Sequence, residues 1–496
     1  MDSSLPARGD RGRRKNWDGA ATKAAFDVAA QTKPWTVAYQ SFDDDSISSR
    51  AEIHGRLPDD LRGALYRNGP ARHERGGQRY GHRWDGDGMI QKFTFSGSGV
   101  SHLGRFVQTD KYVKESLSDR FLVSAFGTSP PGAEPIPTPL DSANSANINV
   151  VRVAGELLAL WEPGSAYRVD EATLMTRGRK TWAPQLVDKP FSAHPRIEAS
   201  GELWNFGADP LAGQLTVYHA APDGRLLRTH SIKLDRLPPT HDFAVTAHYL
   251  VFLLSSMEIQ KDRLMAGLSF AESCQWLGGG EMRVMTVDKR DWSTRFYSLP
   301  AGCVFHISNA WEDPEGIIRL EYMRAAQPMS LLAGWTVMRG EYRHYEAARL
   351  TSVVIHPGKG TATQNYLGTP EAEFPVIESA HVGHRHRNVL CLERSDARSA
   401  DSPGFDQIAL INVETGDAQR FVYGDEWLVE EHVFASRFDT QRSDWIVGTA
   451  IDIRARQTVL SVFEANGISN GPMLQARFPY ALPLGLHGSF HAAQPQ

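Results

Sequence analysis

Cysteine is scarce in this sequence. Among 496 residues there are three cysteines, Cys274, Cys303 and Cys391, and they lie far apart without a C-x-x-C pair. This usage argues against a disulfide framework and fits a reducing compartment. We therefore expect a cytoplasmic protein.

Long hydrophobic runs and a surplus of positive charge are also missing. No stretch approaches the about 18 apolar residues of a membrane-spanning helix, and 53 Lys and Arg stand against 58 Asp and Glu. The composition therefore predicts no membrane span and no nucleic-acid partner. The N-terminus has no apolar core of a secretory signal. We expect residues 1–35 to be a disordered tail and residues 36–496 to form a single domain.

Long amphipathic helices are scarce as well, and Lys23–Ala30 and Lys111–Ser118 are short candidates. From residue 50 onward, short β-like runs alternate with turn residues, and the 43 Gly and 28 Pro are typical of many tight turns. Residues 255–282 interrupt this pattern, which indicates an insertion packed over one end of the scaffold. The sequence thus predicts an all-β domain.

Six polar residues in apolar or small surroundings recur at similar intervals along this domain. They are His194, His241, His306, Glu373, Glu431 and His487, with steps of 47, 65, 67, 58 and 56 residues. One inward polar residue per unit of roughly 60 residues suggests radial repetition around an axis. Four neutral imidazoles converging there would suit a divalent transition metal such as iron. The alternative is a chance subset of the 18 histidines, each an ordinary structural residue.

The most distinctive motif is Leu61-Arg62-Gly63-Ala64-Leu65-Tyr66-Arg67-Asn68-Gly69-Pro70 followed by His82-Arg83-Trp84-Asp85-Gly86-Asp87-Gly88-Met89. Alone, the second part indicates a turn between strands, because it lacks the carboxylate spacing of a calcium loop. Together the two parts resemble the opening motif of the carotenoid cleavage oxygenase family. The surroundings of the six recurring residues, and the stretch from Asn147 to Glu162, match motifs of that family too, so the resemblance runs over roughly residues 36–490.

The resemblance implies a seven-bladed β-propeller with loops and short helices forming a cap over one face. It implies one Fe(II) per chain, dioxygen as co-substrate and no organic cofactor. The metal ligands carried over from the family are His194, His241, His306 and His487. The carboxylates carried over as acceptors for the outward ring N–H groups are Glu162, Glu373 and Glu431. Three carboxylates leave one of the four histidines without an assigned partner.

Departures from the family pattern bear on the substrate. In the lignostilbene-cleaving branch a lysine precedes the first outer carboxylate and a tyrosine upstream helps it to hold a phenol oxygen, whereas here Trp161 and Phe126 take those places. Apolar rings favour a carotenoid or apocarotenoid. Plain core packing is the alternative for both rings. Ile148, where many members carry Thr, is expected to shield one open metal position. The expected wall of the substrate tunnel is Trp84, Phe126, Ile148, Trp161, Phe305 and Phe374.

The resemblance therefore implies cleavage of a conjugated C=C bond of a carotenoid or apocarotenoid to two carbonyl products. Cleavage of stilbene or phenylpropanoid alkenes, isomerisation, and a non-catalytic propeller that binds a lipid or protein are the alternatives. Because such a substrate is apolar, we expect peripheral membrane contact through residues 121–139 or 255–276. The His381-x-x-His384-x-His386 segment contains Arg385 and Arg387, and we expect a solvated turn there rather than a metal site.

Overall fold

The computed structural model describes residues 17–328, 334–440 and 442–494. Seven antiparallel sheets of four or five strands follow one another around a common axis. This arrangement confirms the predicted seven-bladed β-propeller.

The strands are short, as the frequent turn residues predict. In chain order they are β1 Ser46–Arg50, β2 Glu52–Gly55, β3 Gly63–Arg72, β4 Glu74–Arg75, β5 Gln78–Arg79, β6 Asp87–Ser96, β7 Gly99–Phe106, β8 Asn149–Val153, β9 Glu156–Leu160, β10 Tyr167–Val169, β11 Thr176–Arg179, β12 Arg196–Ile197, β13 Leu203–Asp209, β14 Gln214–Ala220, β15 Leu226–Lys233, β16 Ala244–Val245, β17 Tyr249–Leu254, β18 Met257–Ile259, β19 Cys274–Trp276, β20 Met282–Asp288, β21 Thr294–Leu299, β22 Cys303–Glu312, β23 Ile318–Ala325, β24 Arg349–His356, β25 Thr361–Tyr366, β26 Ala372–Val376, β27 Asn388–Glu393, β28 Gln407–Asn412, β29 Ala418–Val422, β30 Trp427–Ala435, β31 Trp445–Asp452, β32 Gln457–Glu464, β33 Leu474–Arg477 and β34 Gly488–Ala492.

The helices are few and short. The α-helices are α1 Gly19–Ala30, α2 Asp110–Ser118, α3 Lys261–Met265, α4 Phe270–Ser273 and α5 Gly334–Val337, and the 3₁₀ turns are Pro34–Tyr39, Leu140–Ala143, Pro184–Leu186, Ser379–His381 and Ile468–Asn470. Within the described ranges, none of these helices has both the length and the apolar character needed to cross a membrane.

The ring is closed by strands from both ends of the chain. Blade 1 consists of β3, β6, β7 and β1 with the C-terminal strand β34 as its innermost member, while β2 adds the outermost strand to blade 7, formed by β30 to β33. Blades 2 and 3 are β8 to β11 and β12 to β15, blade 4 is β16, β17, β20 and β21, and blades 5 and 6 are β22 to β25 and β26 to β29. The two terminal strands therefore hold the first and last blades together.

The core of the protein lies between neighbouring blades. Strand β17 shows why, because its run of apolar residues is almost wholly buried. Leu250 and Phe252 pack against blade 3, whereas Val251 and Leu253 point to the opposite face and pack against blade 5. Side chains alternate across a strand, so a blade buried on both faces needs a continuous apolar sequence rather than an alternating one.

The cap over one face is built from the interrupted segment and the helices. Residues 255–282 form the two-stranded sheet β18–β19 with α3 and α4 between its strands, as the irregular pattern predicted. Trp276 and Phe126 pack onto the apolar core between blades 5 and 6. The cap therefore rests on the same side chains that hold these blades together.

The predicted disordered tail is wrong in its second half. Residues 19–30 form α1, whose Phe26 is 3 % exposed and lies under the guanidinium of Arg79 at 3.5 Å. The Lys33 ammonium donates to the carbonyl of Gly340 at 2.7 Å. An apolar helix face and two cationic anchors thus attach this segment to the cap, while residues 1–16 lie outside the described part of the chain.

Replacing a ring between two blades should weaken the fold markedly. Phe252 is fully buried and lies 5.4 Å from the rings of both Phe206 and Phe243. We expect Phe252→Ala to lower the free energy of unfolding by about 3–5 kcal/mol because it leaves a cavity. Thermal or denaturant melting measures this, with Phe296→Ala, at a 43 % exposed site, as the control. Equal melting of the two variants would contradict this account of the core.

Candidate metal centre and cavity

Each blade contributes one residue to the central region of the ring, on its innermost strand or within three residues before it. Blade 2 supplies Ile148, directly before β8, and the other six blades supply the recurring polar residues. In blade order from blade 3 these are His194, His241, His306, Glu373, Glu431 and His487. The unequal steps in sequence reflect loops of different length, whereas the structural repeat is regular. Ile148 occupies the seventh position, for which the sequence spacing alone gave no polar residue.

The structure brings the four histidines together. One ring nitrogen from each of His194, His241, His306 and His487 lies within 4.8 Å of the corresponding nitrogen of every other. The Nε2 atoms of His194 and His241 are 2.8 Å apart. These are residues from four different blades, so only the closed ring places them side by side.

Three of the four imidazoles are held from behind by carboxylates. The Nδ1 of His241 lies 2.7 Å from Glu162, that of His306 lies 2.5 Å from Glu373, and that of His487 lies 2.9 Å from Glu431. A carboxylate only accepts, so each Nδ1 carries the proton and each Nε2 presents its lone pair to the centre. The predicted carboxylates therefore lie where they fix the tautomers. Among the described residues, His194 has no such carboxylate.

Burial and neighbouring charge set the protonation of this cluster. Burial, followed by the three neighbouring imidazoles, holds the pKa of His194 well below its ordinary value. Burial also lowers the pKa of His487, and the opposing effect of Glu431 does not reverse this. For His306, burial lowers the pKa but Glu373 more than compensates, so the net pKa is raised. Burial would raise the pKa of Glu431, but His487, Arg67 and the Gly488 N–H together outweigh it, so the carboxyl pKa is lowered.

The donor set fits a divalent transition metal. The Nε2 of His306 is buried and has no hydrogen-bond partner among the described residues. Several imidazole lone pairs that face one another without protons repel each other unless a cation lies between them. Four neutral nitrogen donors of intermediate softness suit iron and its first-row neighbours.

A charged pair that sequence reasoning missed holds three of the ligand-bearing strands together. Arg196 donates to both oxygens of Asp242 at 2.8 Å and to the carbonyl of Ile307 at 2.7 Å. Asp242 also accepts from the Ile307 N–H at 2.8 Å. These residues lie beside His194, His241 and His306, respectively. The pair therefore sets the spacing of blades 3, 4 and 5 at the centre.

A cavity of about 440 Å³ opens onto three of the four histidines, His241, His306 and His487. All six predicted wall residues line it, namely Trp84, Phe126, Ile148, Trp161, Phe305 and Phe374. Phe374 has φ 57°, a conformation that is uncommon for a residue with a bulky side chain. Its N–H donates to Glu373 at 3.0 Å, and its ring lies 5.2 Å from His306. Because of this backbone geometry, two consecutive residues serve both parts of the site: Glu373 holds His306 and Phe374 lines the cavity.

The Asp-Gly-Asp-Gly segment anchors the aromatic wall, a role that the sequence did not indicate. Buried Asp85 accepts from the Gly127 N–H at 2.8 Å and from the Thr128 hydroxyl at 2.5 Å. It thereby ties Trp84 to the loop that carries Phe126, and the two rings lie 5.2 Å apart. Burial raises the pKa of Asp85 to about 6.

The predicted solvated turn at His381–His386 is wrong for one residue. His384 is exposed, but His386 is 4 % exposed and receives a hydrogen bond from Asn309 at 3.2 Å. Its Nε2 lies 3.4 Å from Glu321. Burial raises the pKa of Glu321 to about 8. His381 and His386 line a separate pocket of about 330 Å³.

The structural class is thus a seven-bladed β-propeller with four convergent histidines on its axis. Residues 40–492 match the family described as RPE65, retinal pigment epithelial membrane protein, and the chain belongs to this family. The resemblance to carotenoid cleavage oxygenases is thereby confirmed.

The relatives cover nearly the whole chain. Apocarotenoid-15,15'-oxygenase from Synechocystis sp. is 27 % identical over 474 residues, covering 92 % of this chain and 96 % of the relative. Lignostilbene-alpha,beta-dioxygenase isozyme III from Sphingomonas paucimobilis is 26 % identical, covering 88 % and 93 %. Among solved structures, a cobalt-substituted Synechocystis apocarotenoid oxygenase superposes with a TM-score of 0.83 at 25 % identity, covering 93 % of this chain and 99 % of that chain.

The carboxylates behind the imidazoles should matter for metal affinity. We expect Glu373→Gln to weaken binding of a divalent transition metal by about 10–100-fold. A neutral amide oxygen accepts the His306 Nδ1–H less strongly than a carboxylate does, and the amide NH2 can also turn to that nitrogen and favour the other tautomer. Competition with a coloured chelator measures the affinity. Glu378→Gln, five residues along and at the separate pocket, is the control and should bind metal as the wild type does. Unchanged affinity in Glu373→Gln would contradict the assigned role.

Proposed function

We propose that this protein is an Fe(II)-dependent dioxygenase that cleaves a conjugated C=C bond of a carotenoid or apocarotenoid. One dioxygen and one double bond yield two carbonyl groups, so the atoms balance without a reductant or an organic cofactor. The observation that carries the proposal is the opening of a four-histidine centre into a cavity walled by aromatic side chains.

A ferrous ion held by His194, His241, His306 and His487 would supply the site for dioxygen activation, since four neutral ligands leave its 2+ charge and two octahedral positions. The protein's part is positioning and the exclusion of water. Ile148, at the seventh axial position, places an apolar side chain where every other blade presents a polar one. Its carbonyl accepts from the His487 N–H at 3.2 Å, which fixes it beside a ligand.

The wall chemistry supports a polyene as substrate. Trp84 lies between the rings of Phe126, at 5.2 Å, and Phe305, at 5.4 Å, and Phe305 lies 5.1 Å from His241. Such a series of rings leads directly to the centre and matches a flat conjugated chain. Neither Trp161 nor Phe126 supplies the ammonium or phenol hydroxyl that holds a phenolate in the lignostilbene-cleaving branch. A carotenoid or apocarotenoid therefore suits the site better than a phenolic stilbene.

Product analysis under oxygen-18 gas tests the proposal directly. Iron-loaded protein is incubated with a panel of apocarotenals, with resveratrol and with isoeugenol, and products are identified by mass spectrometry. We expect apocarotenal cleavage with one labelled oxygen in each product, and loss of all activity in His306→Ala. His381→Ala, at the separate pocket, should retain activity.

Turnover of the phenolic alkenes alone would replace the carotenoid substrate by a stilbene-type substrate. Conversion of a polyene to an isomer without oxygen incorporation would replace cleavage by isomerisation. A protein that neither retains iron nor responds to added Fe(II) in air would contradict catalysis altogether.

The proposal includes peripheral contact with a membrane that holds the apolar substrate. Leu117 at the end of α2 is 85 % exposed, and Leu122 in the first predicted segment is 42 % exposed. Met265, in the second predicted segment, is 55 % exposed. Leu122 and Met265 belong to segments that line the cavity, and Leu117 lies just before the first of these. Exposed apolar side chains there are the expected feature of such a contact.

Removing these side chains should weaken vesicle binding. We expect the double substitution Leu117→Ser with Leu122→Ser to reduce co-sedimentation with phospholipid vesicles at least severalfold, since each buried methylene contributes about 0.8 kcal/mol. Val422→Ser, at a 53 % exposed site on β29, is the matched control. Equal vesicle binding by both variants would contradict the membrane contact.

A further inference from the structure

Residues of blades on both sides of the axis line the cavity, and the two sides are called its limbs here. One limb is bordered by Leu140, which leads into blade 2, by Leu211 in the β13–β14 turn of blade 3, and by Pro239 before blade 4. The other is bordered by His344 in the β23–β24 connection of blade 5 and by Arg394 after β27 of blade 6. Blades 2 to 4 and blades 5 to 7 lie on opposite sides of a seven-membered ring. A long substrate that passes the histidines therefore has one end in each limb.

The two limbs differ in chemistry. The first limb carries mainly prolines and aliphatic side chains. Its Asp209 carboxylate already accepts a hydrogen bond from the Ala212 N–H at 2.9 Å. The second limb carries Tyr342, His344 and Glu371 on its wall. A symmetric hydrocarbon would gain no affinity from this difference, whereas a chain with one polar end would place that end in the second limb.

Tyr342, His344 and Glu371 form a hydrogen-bonded chain. The Nε2 of His344 lies 3.1 Å from Glu371 Oε1, and the other oxygen of Glu371 accepts from the Ala347 N–H at 3.1 Å. The Tyr342 hydroxyl lies 3.4 Å from the Nδ1 of His344. A neutral imidazole that donates from Nε2 to a carboxylate accepts at Nδ1, so the phenol proton points to His344. The Tyr342 oxygen is then left as an acceptor.

We propose that the limb over blades 5 to 7 binds a hydroxyl-bearing end of the substrate, with Tyr342 accepting the hydroxyl proton and His344 and Glu371 positioning Tyr342. This assignment rests on the proposed function and narrows its substrate class to polyenes with one alcohol terminus. The other end of the chain lies in the apolar limb, so the two ends of the substrate are not equivalent and one orientation across the centre is favoured.

The same contacts disfavour an acidic terminus. Arg394 lines this limb, but its guanidinium donates to the carbonyls of Ser402 at 2.8 Å and Ser399 at 2.6 Å. These bonds engage its charge in the loop at residues 399–404. Arg343 lines the same limb, but it is exposed to solvent and its guanidinium lies 5.5 Å over the Tyr345 ring. Glu371 adds a negative charge beside the Tyr342–His344 pair. A carboxylate would meet that charge and an acceptor, whereas an alcohol supplies the missing donor.

Binding under nitrogen tests the assignment without requiring turnover. Iron-loaded protein is titrated with an apocarotenol, with the matching apocarotenal and with the matching hydrocarbon that ends in methyl, by quenching of tryptophan fluorescence. We expect the wild type to bind the alcohol most tightly. Tyr342→Phe should weaken binding of the alcohol by about tenfold, as for the loss of one buried hydrogen bond, and leave the hydrocarbon unchanged.

Two further variants make the result specific. Tyr345→Phe changes a neighbouring tyrosine on the same wall and should bind all three ligands as the wild type does. His344→Ala frees the Tyr342 proton, so we expect the preference to move from the alcohol to the aldehyde. Equal wild-type affinity for the three ligands, or equal weakening of all three in Tyr342→Phe, would overturn the assignment. Failure of oxygen-dependent cleavage would overturn the proposed function while leaving these affinities as they are.

Discussion

One electrostatic constraint governs the centre of this structure: several unprotonated imidazole nitrogens point at one another, and their lone pairs repel. Glu162, Glu373 and Glu431 take the ring N–H groups of three histidines outward, which leaves their inner nitrogens without protons. Such an arrangement is unfavourable without a cation and strongly favourable with one. The carboxylates that build it are therefore as much a part of a metal centre as the histidines are.

The propeller suits this constraint because the seven blades share the unfavourable free energy of bringing these polar groups together. Each innermost strand needs to deliver a single residue to the axis, while the buried faces between blades provide the stability. The Arg196–Asp242 pair and the terminal strands β2 and β34 then fix the spacing between blades. Next to this polar centre, Trp84, Phe305 and Phe374 form an apolar wall. On β22 and β26, a residue of the polar centre is therefore followed or preceded directly by a residue of the apolar wall.

Much of the fold and of the axial set was predictable because both repeat along the chain. His194, His241, His306 and His487 stand out by spacing and by their apolar neighbours, and the family motifs supply the rest. Roles that depend on a partner from another blade were not predictable in this way. Asp85 reads as an ordinary turn residue, and the role of Asp242 is evident only once its partner Arg196 is known. Tyr342 and His344 are close in sequence, but only the fold brings Glu371 to them. The helix at Lys23–Ala30 was predicted, but its attachment to the cap was not, because that depends on distant partners such as Arg79. The burial of His386 was missed because arginines flank it in sequence.

The central claim is that four imidazoles bind one metal ion. The most direct measurement is anomalous diffraction at the iron edge from protein loaded with Fe(II) under nitrogen. The account predicts one iron per chain on the propeller axis, within about 2.2 Å of a nitrogen of each of the four histidines, a typical metal–imidazole distance. An axis without iron, or an iron held by fewer than four of these side chains, would contradict it.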